Sequence, residues 1–183
     1  MAAKFDKLPV DGTPVKLTVS SVIYENAIPD SLVDIAEADE IDNDEDTCLE
    51  EADSPQKLEQ VTVASYSELD GRVTVTYDDS EILDMPETLT QITFKTDEPG
   101  CVCIVRSGAL RSMVTVEAGK TNMGEYSFGP YTMPIAFYGR RVVNTVKDGV
   151  GTIELDYTVE ISGSDTSHTK MKLTLEKLPA SPL

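Results

Sequence analysis

The chain has 183 residues, 40% apolar and 26% charged, which is enough for one domain with a proper core. Its formal net charge of −18 repels phosphate backbones and anionic lipid, so neither nucleic acid nor a membrane is expected as a partner. No apolar run approaches the roughly 20 residues of a spanning helix, and the first residues lack the apolar core of an export signal. The expectation is a single domain over 1–183 in the cytoplasm.

The charge is unevenly placed. Residues 25–60 hold fourteen acids against Lys57 alone, and the rest of the chain carries nineteen acids against fourteen bases. In chain order, Pro14–Tyr24 is the first strand, with Val15, Leu17 and Val19 on one face and a register change, read as a bulge, near Ser20-Ser21-Val22. The acidic stretch 25–60 follows as an insertion. Its acids repel one another and little apolar surface offsets chain entropy, so most of 37–55 is expected to be mobile, with a short helix over 31–38. Strands resume at Val61–Tyr66, and the Asp70-Gly71 turn leads into Arg72–Tyr77. Further strands cover Glu87–Lys95, Cys101–Arg106, Ala109–Val116, Thr121–Phe128 and Met133–Val146, with Gly or Pro at the breaks.

The last third of the chain alternates most cleanly. Ile153, Leu155, Tyr157, Val159 and Ile161 interleave with Glu154, Asp156, Thr158 and Glu160, a two-residue period with one dry face and one wet face. A final strand, His168–Leu178, turns Met171, Leu173 and Leu175 inward. Short links between neighbouring strands favour an antiparallel meander. Curling and closing it pairs both edges. The fold class is therefore all-β, a closed or nearly closed antiparallel barrel of about 8–10 strands, with a two-layer sandwich as the rival.

Three blocks carry a resemblance: Ile104-Val-Arg-Ser-Gly-Ala-Leu110, Glu125-Tyr-Ser-Phe-Gly129 and Gly151-Thr-Ile-Glu-Leu-Asp-Tyr157. Together they resemble the bacterial YwiB-like family, a domain of unknown function known as DUF1934, over residues 58–178 and the first strand. The resemblance implies a small calycin-like, that is lipocalin-like, barrel with no established activity. The acidic insertion departs from the compact form of that family.

Arg106 is the first candidate site residue. Regular alternation puts it on one face with Val102 and Ile104, and Cys101, Cys103 and Val105 on the other. An inward guanidinium needs a carboxylate or a bound anion, since burying it unpaired is very costly. Glu81, Glu125, Tyr77 and Tyr126 are the candidate partners, and Arg106, Tyr126, Glu125 and Tyr77 form the candidate ligand site. By analogy with lipocalin-like barrels, such an arginine could hold a ligand carboxylate. The competing account has Arg106 bracing its hairpin at the strand mouth.

Other constellations carry less. Arg140 and Arg141 are adjacent and should point to opposite faces, one of them paired with Glu154 or Asp156. The run from Asp42 has acids at calcium-loop spacing, but Thr47 stands where glycine is required and Asp53 where a bidentate glutamate is required, so an EF-hand is rejected. His168 has no cysteine or second histidine beside it and reads as a surface residue. Cys101 and Cys103, two apart on one strand, stand about 6.5–7 Å apart, too far for an unstrained disulfide. The acidic turn Asp78–Glu81 lacks the aromatic cleft that glycoside chemistry wants. Gly119-Lys120-Thr121 lacks the glycines of a phosphate loop.

No catalytic set, metal set or cofactor motif emerges, and the expectation is a non-enzymatic binding module for a small apolar or acidic ligand. Met113, Met123, Met133, Tyr126, Tyr138 and Tyr157 could line its cavity. The alternative is a structural or protein-interaction domain with a solid core, whose acidic insertion contacts a basic partner or weakly binds divalent cations. An interior cavity above about 300 Å³ containing Arg106 would favour the ligand.

Overall fold

The protein is described by a computed structural model covering residues 12–25, 54–83, 85–161 and 165–178. The expected helix over 31–38, the mobile stretch 37–55 and the rejected calcium loop lie wholly or almost wholly outside the described residues.

Ten strands follow in chain order: β1 Thr13–Glu25, β2 Gln56–Leu69, β3 Arg72–Asp78, β4 Leu89–Lys95, β5 Cys101–Ser107, β6 Leu110–Glu117, β7 Thr121–Phe128, β8 Tyr131–Asn144, β9 Gly151–Ile161 and β10 Asp165–Lys177. One helical turn, α1 (Ser80–Leu83), interrupts them between β3 and β4. Each strand pairs antiparallel with its neighbour in sequence, and β1 pairs with both β2 and β10, which closes the barrel. Closure gives every strand a neighbour on both sides. Two hairpins rest on Asp-Gly pairs with positive φ at both positions, Asp70-Gly71 and Asp148-Gly149, the backbone that tight two-residue turns need.

The inward face is the core. Val15, Leu17, Val73, Val75, Ile92, Val102, Ile104, Val116, Ile135, Phe137, Ile153, Leu155, Leu173 and Leu175 are all essentially inaccessible. At one end of the barrel the β8–β9 turn folds inward: Val146 packs on the core, and Gly149 lies against Val15 and Tyr66. The opposite end gathers the C-terminal ends of the odd strands and the N-terminal ends of the even ones, and α1 lies there.

Several expectations change. There is no bulge in β1: its pairing with β10 runs unbroken from Val15 to Glu25. Alternation simply continues, and the inward place after Val19 is taken by Ser21, buried at 6% exposure, while Val22 faces outward. β2 starts at Gln56, so the end of the acidic stretch is strand, paired with β1 from Ile23 onward. The real irregularity falls at Gly139–Arg141 in β8, and there Arg140 and Arg141 are both exposed instead of opposed across the sheet. Arg141 Nη1 does stand 3.7 Å from Glu154 Oε2. β6 and β7 share only the pairs from Leu110–Phe128 to Met113–Glu125; beyond them the Asn122 side-chain amide donates to the Thr115 carbonyl at 3.0 Å.

Candidate functional site

Strand register draws one inward row across five strands at the α1 end of the barrel. Tyr77 on β3 is opposite Thr90 on β4, Thr90 opposite Arg106 on β5, Arg106 opposite Ser112 on β6, and Ser112 opposite Tyr126 on β7. Below this row the interior is apolar; within it every side chain carries a hydrogen-bonding group. The switch is written in residue type alone, because the period-two geometry is the same above and below it.

Arg106 points inward, as alternation with Val102 and Ile104 requires. Its side chain is 11% exposed. Its ion-pair partner is Asp79, in place of the expected Glu81 or Glu125. Arg106 Nε donates to Asp79 Oδ2 at 3.4 Å, a long contact, and the Thr90 hydroxyl donates to the same oxygen at 2.8 Å. Asp79 is 3% exposed. Its backbone explains its placement: the Asp79 N–H donates to the Thr88 carbonyl at 2.9 Å, and the Asp79 carbonyl accepts from Leu83 N–H at 3.2 Å to start α1. Asp78 takes over the capping role, its Oδ1 accepting from Ser80 N–H at 3.0 Å. The Asp79 side chain is thereby released into the barrel.

The β5–β6 hairpin that carries Arg106 is held against this segment. Gly108 has φ of +121°, and a β-carbon there would collide with the Glu87 carbonyl oxygen. This is the physical content of the Arg106-Ser107-Gly108 sequence: an inward cation, a turn, and a residue small enough to let the turn rest on the chain just before Thr88.

The electrostatics fit a permanently charged arginine. Burial works against its charge, but the oxygens of Tyr126, Tyr77 and Tyr157 and the Asp79 carboxylate outweigh this and hold its pKa above the ordinary value. Burial raises the Tyr77 phenol, with Asp79 adding to the effect and Arg106 opposing it. Burial likewise pushes Tyr157 up to about 12, partly countered by Arg106.

A cavity of about 240 Å³ opens beside this row. Tyr77, Asp79, Arg106, Tyr126 and Tyr157 make its polar wall. Val19, Ile23, Leu58, Val159, Ile161 and Met171, from β1, β2, β9 and β10, make much of the apolar one. The cavity contains Arg106 but falls short of the roughly 300 Å³ at which ordinary ligand pockets begin. Five buried side-chain atoms among the described residues lack a hydrogen-bond partner. Three of them, Gln60 Oε1, Thr88 Oγ1 and Ser112 Oγ, belong to this end of the barrel, and none of these three residues lines the cavity itself. Orphaned buried polar atoms are uncommon and call for a water or a ligand.

The other expected site residues separate. Tyr77 and Tyr126 belong to the row and line the cavity. Glu125 is exposed on the outer face of β7, and Glu81 is exposed on α1; neither contributes to the cavity wall. Of the six residues expected to line the interior, Tyr126 and Tyr157 do so. Met113 and Met123 are 58% and 72% exposed, Tyr138 sits on the outer side of β8, and Met133 shares the inward register with Tyr126 without reaching the cavity wall. Glu125, Met113 and Met123 instead border a second, more open cavity of about 820 Å³, which Arg106 and Ser112 also line, together with Arg111 and Pro134.

His168 also differs from expectation. It is half-buried on the outer face, with Nε2 2.6 Å from Asp156 Oδ1 and its ring stacked on Tyr24 at 5.5 Å. Among the described residues no group of three or more His, Cys, Asp or Glu side chains could hold a metal ion.

Comparison with known proteins agrees with the architecture. No curated protein matches the chain significantly. The crystal structure of the ywiB protein from Bacillus subtilis superposes with a TM-score of 0.65 at 17% identity, over 91% of this chain and 93% of that one. At that identity the likeness speaks for the fold alone. The family model for DUF1934, a domain of unknown function, matches residues 43–173, and the chain belongs to that family.

Proposed function

We propose that this protein is a non-enzymatic binding module that takes a small, partly apolar molecule into the α1 end of its barrel. The observation that carries this reading is the buried Arg106–Asp79 pair facing a cavity with one polar and one apolar wall. A fold that needed only a core could fill this end with aliphatic side chains, as it does below. Burying an ion pair is at best near neutral for stability when compared with well-packed apolar residues, so recognition is the better account of its presence. The volume sets the scale of the ligand. About 240 Å³ is the space of roughly eight waters.

Native mass spectrometry of the intact protein tests the reading, together with thermal shift against a panel of small amphiphiles. A retained or added molecule of that size should raise Tm in the parent and not in Arg106→Met, provided that the variant keeps its barrel by circular dichroism. Equal responses in parent and variant would place binding elsewhere.

A further inference from the structure

The charge balance of the cavity narrows the ligand class, an inference that rests on the binding reading above. Among the described residues lining the cavity, Arg106 is the one cation and Asp79 the one carboxylate, and each is the other's partner. The other titratable groups facing it are the phenols Tyr77, Tyr126 and Tyr157. The site is therefore neutral before anything enters it. A carboxylate ligand would bring in a negative charge with no uncompensated cation to meet it, and burying such a charge is strongly unfavourable.

The hydrogen-bonding capacity is not balanced in the same way. Asp79 accepts from Arg106 Nε alone, over a long contact, and a guanidinium has four more N–H donors. Tyr126, which lines the cavity beside Arg106, adds a phenol hydroxyl. The row offers donors to an acceptor while its charge is already satisfied.

We propose that the ligand is a small uncharged amphiphile. Its head is a hydrogen-bond acceptor, such as an amide or a protonated carboxylic acid, set against Arg106 and Tyr126. Its short aliphatic tail lies along Val19, Val159, Ile161 and Met171. Asp79 is then the specificity residue: it supplies the negative charge that an acidic ligand would otherwise supply.

The test uses the full chain and two matched probes, hexanamide and hexanoate, titrated by calorimetry at pH 7.5. Hexanamide should bind at least about tenfold more tightly than hexanoate. In Asp79→Asn the arginine loses its counter-charge, and the order should reverse. Hexanoate should also bind the parent more tightly as pH falls from 7.5 to 5.5, about tenfold per unit, because its protonated form is the one taken up; hexanamide should not change. That pH series decides the matter alone if Asp79→Asn does not fold. Tighter binding of hexanoate than hexanamide by the parent at pH 7.5 overturns the neutral-ligand inference and leaves the binding module standing. Binding of neither probe at millimolar concentration overturns both.

Discussion

Arg106 and Asp79 act as a unit, and their stability effects should show it. Replacing Arg106 with Met leaves a nearly inaccessible carboxylate without its cation, and should cost about 3 kcal/mol in urea denaturation. Adding Asp79→Leu to that variant removes the stranded charge and should recover most of the loss. Two additive losses would mean that the residues do not interact. Tyr157 predicts a second effect. Burial raises its phenol to about 12 in the folded state, against roughly 10 when unfolded. The fold keeps a proton that the unfolded chain gives up. This contribution is thus fully present below pH 10 and is lost as pH climbs from 10 to 12, on the order of 2 kcal/mol. Tyr157→Phe should flatten that part of the stability profile, and phenolate absorbance should show Tyr157 ionising late. The inward direction of Arg106 was legible in the sequence, because Val102 and Ile104 fix its parity. Its partner was not. Asp79 stands one residue past the end of β3, among Asp78, Ser80 and Glu81, where alternation has stopped and four polar side chains look alike.

At the scale of the element, the β5–β6 hairpin aims the arginine, and Gly108 aims the hairpin. Gly108→Ala meets both a disfavoured positive φ and the Glu87 carbonyl, and should cost about 2–3 kcal/mol. The same change at Gly100, where a β-carbon meets nothing within 4 Å, is the control and should be near neutral. Equal effects at the two sites would remove the close approach as the reason for Gly108. Strands with clean alternation, β9 above all, are legible in the sequence, and β10 shows its inward face there although it begins at Asp165, ahead of the expected His168. Errors arose where apolar residues stand side by side. Met113 next to Val114 leaves parity ambiguous, and Val114, the better buried of the two, takes the core. In β1 the apolar Val22 suggested a bulge, whereas the chain stays in register and accepts a buried serine at the cavity. Local pattern fails where function asks for a polar residue inside. The His168–Asp156 contact was hidden for another reason: it joins outer faces of neighbouring strands, and only register reveals it.

For the whole molecule, closure depends on β1 bridging β2 and β10. Ile23 of β1 is already paired with Gln56 of β2, so the two strand ends are adjacent and a tight turn can join them. Replacing residues 25–55 with a short Asn-Gly hairpin should leave a folded barrel whose Tm changes by only a few degrees. Loss of cooperative unfolding would show that the excised stretch is part of the barrel's support. The distribution of polarity inside the closed wall is the more telling feature. One end is filled by aliphatic side chains and by the turn around Gly149, and the other holds charge, hydroxyls and space.

The most direct test of that division is a methyl-detected NMR titration of the intact chain with hexanamide. Shifts should concentrate on Val19, Ile23, Val159, Ile161 and Met171, while Val73 and Ile153 stay still. Movement of Met113 and Met123 with an unmoved interior would contradict the account and put the binding surface on the outside of the barrel.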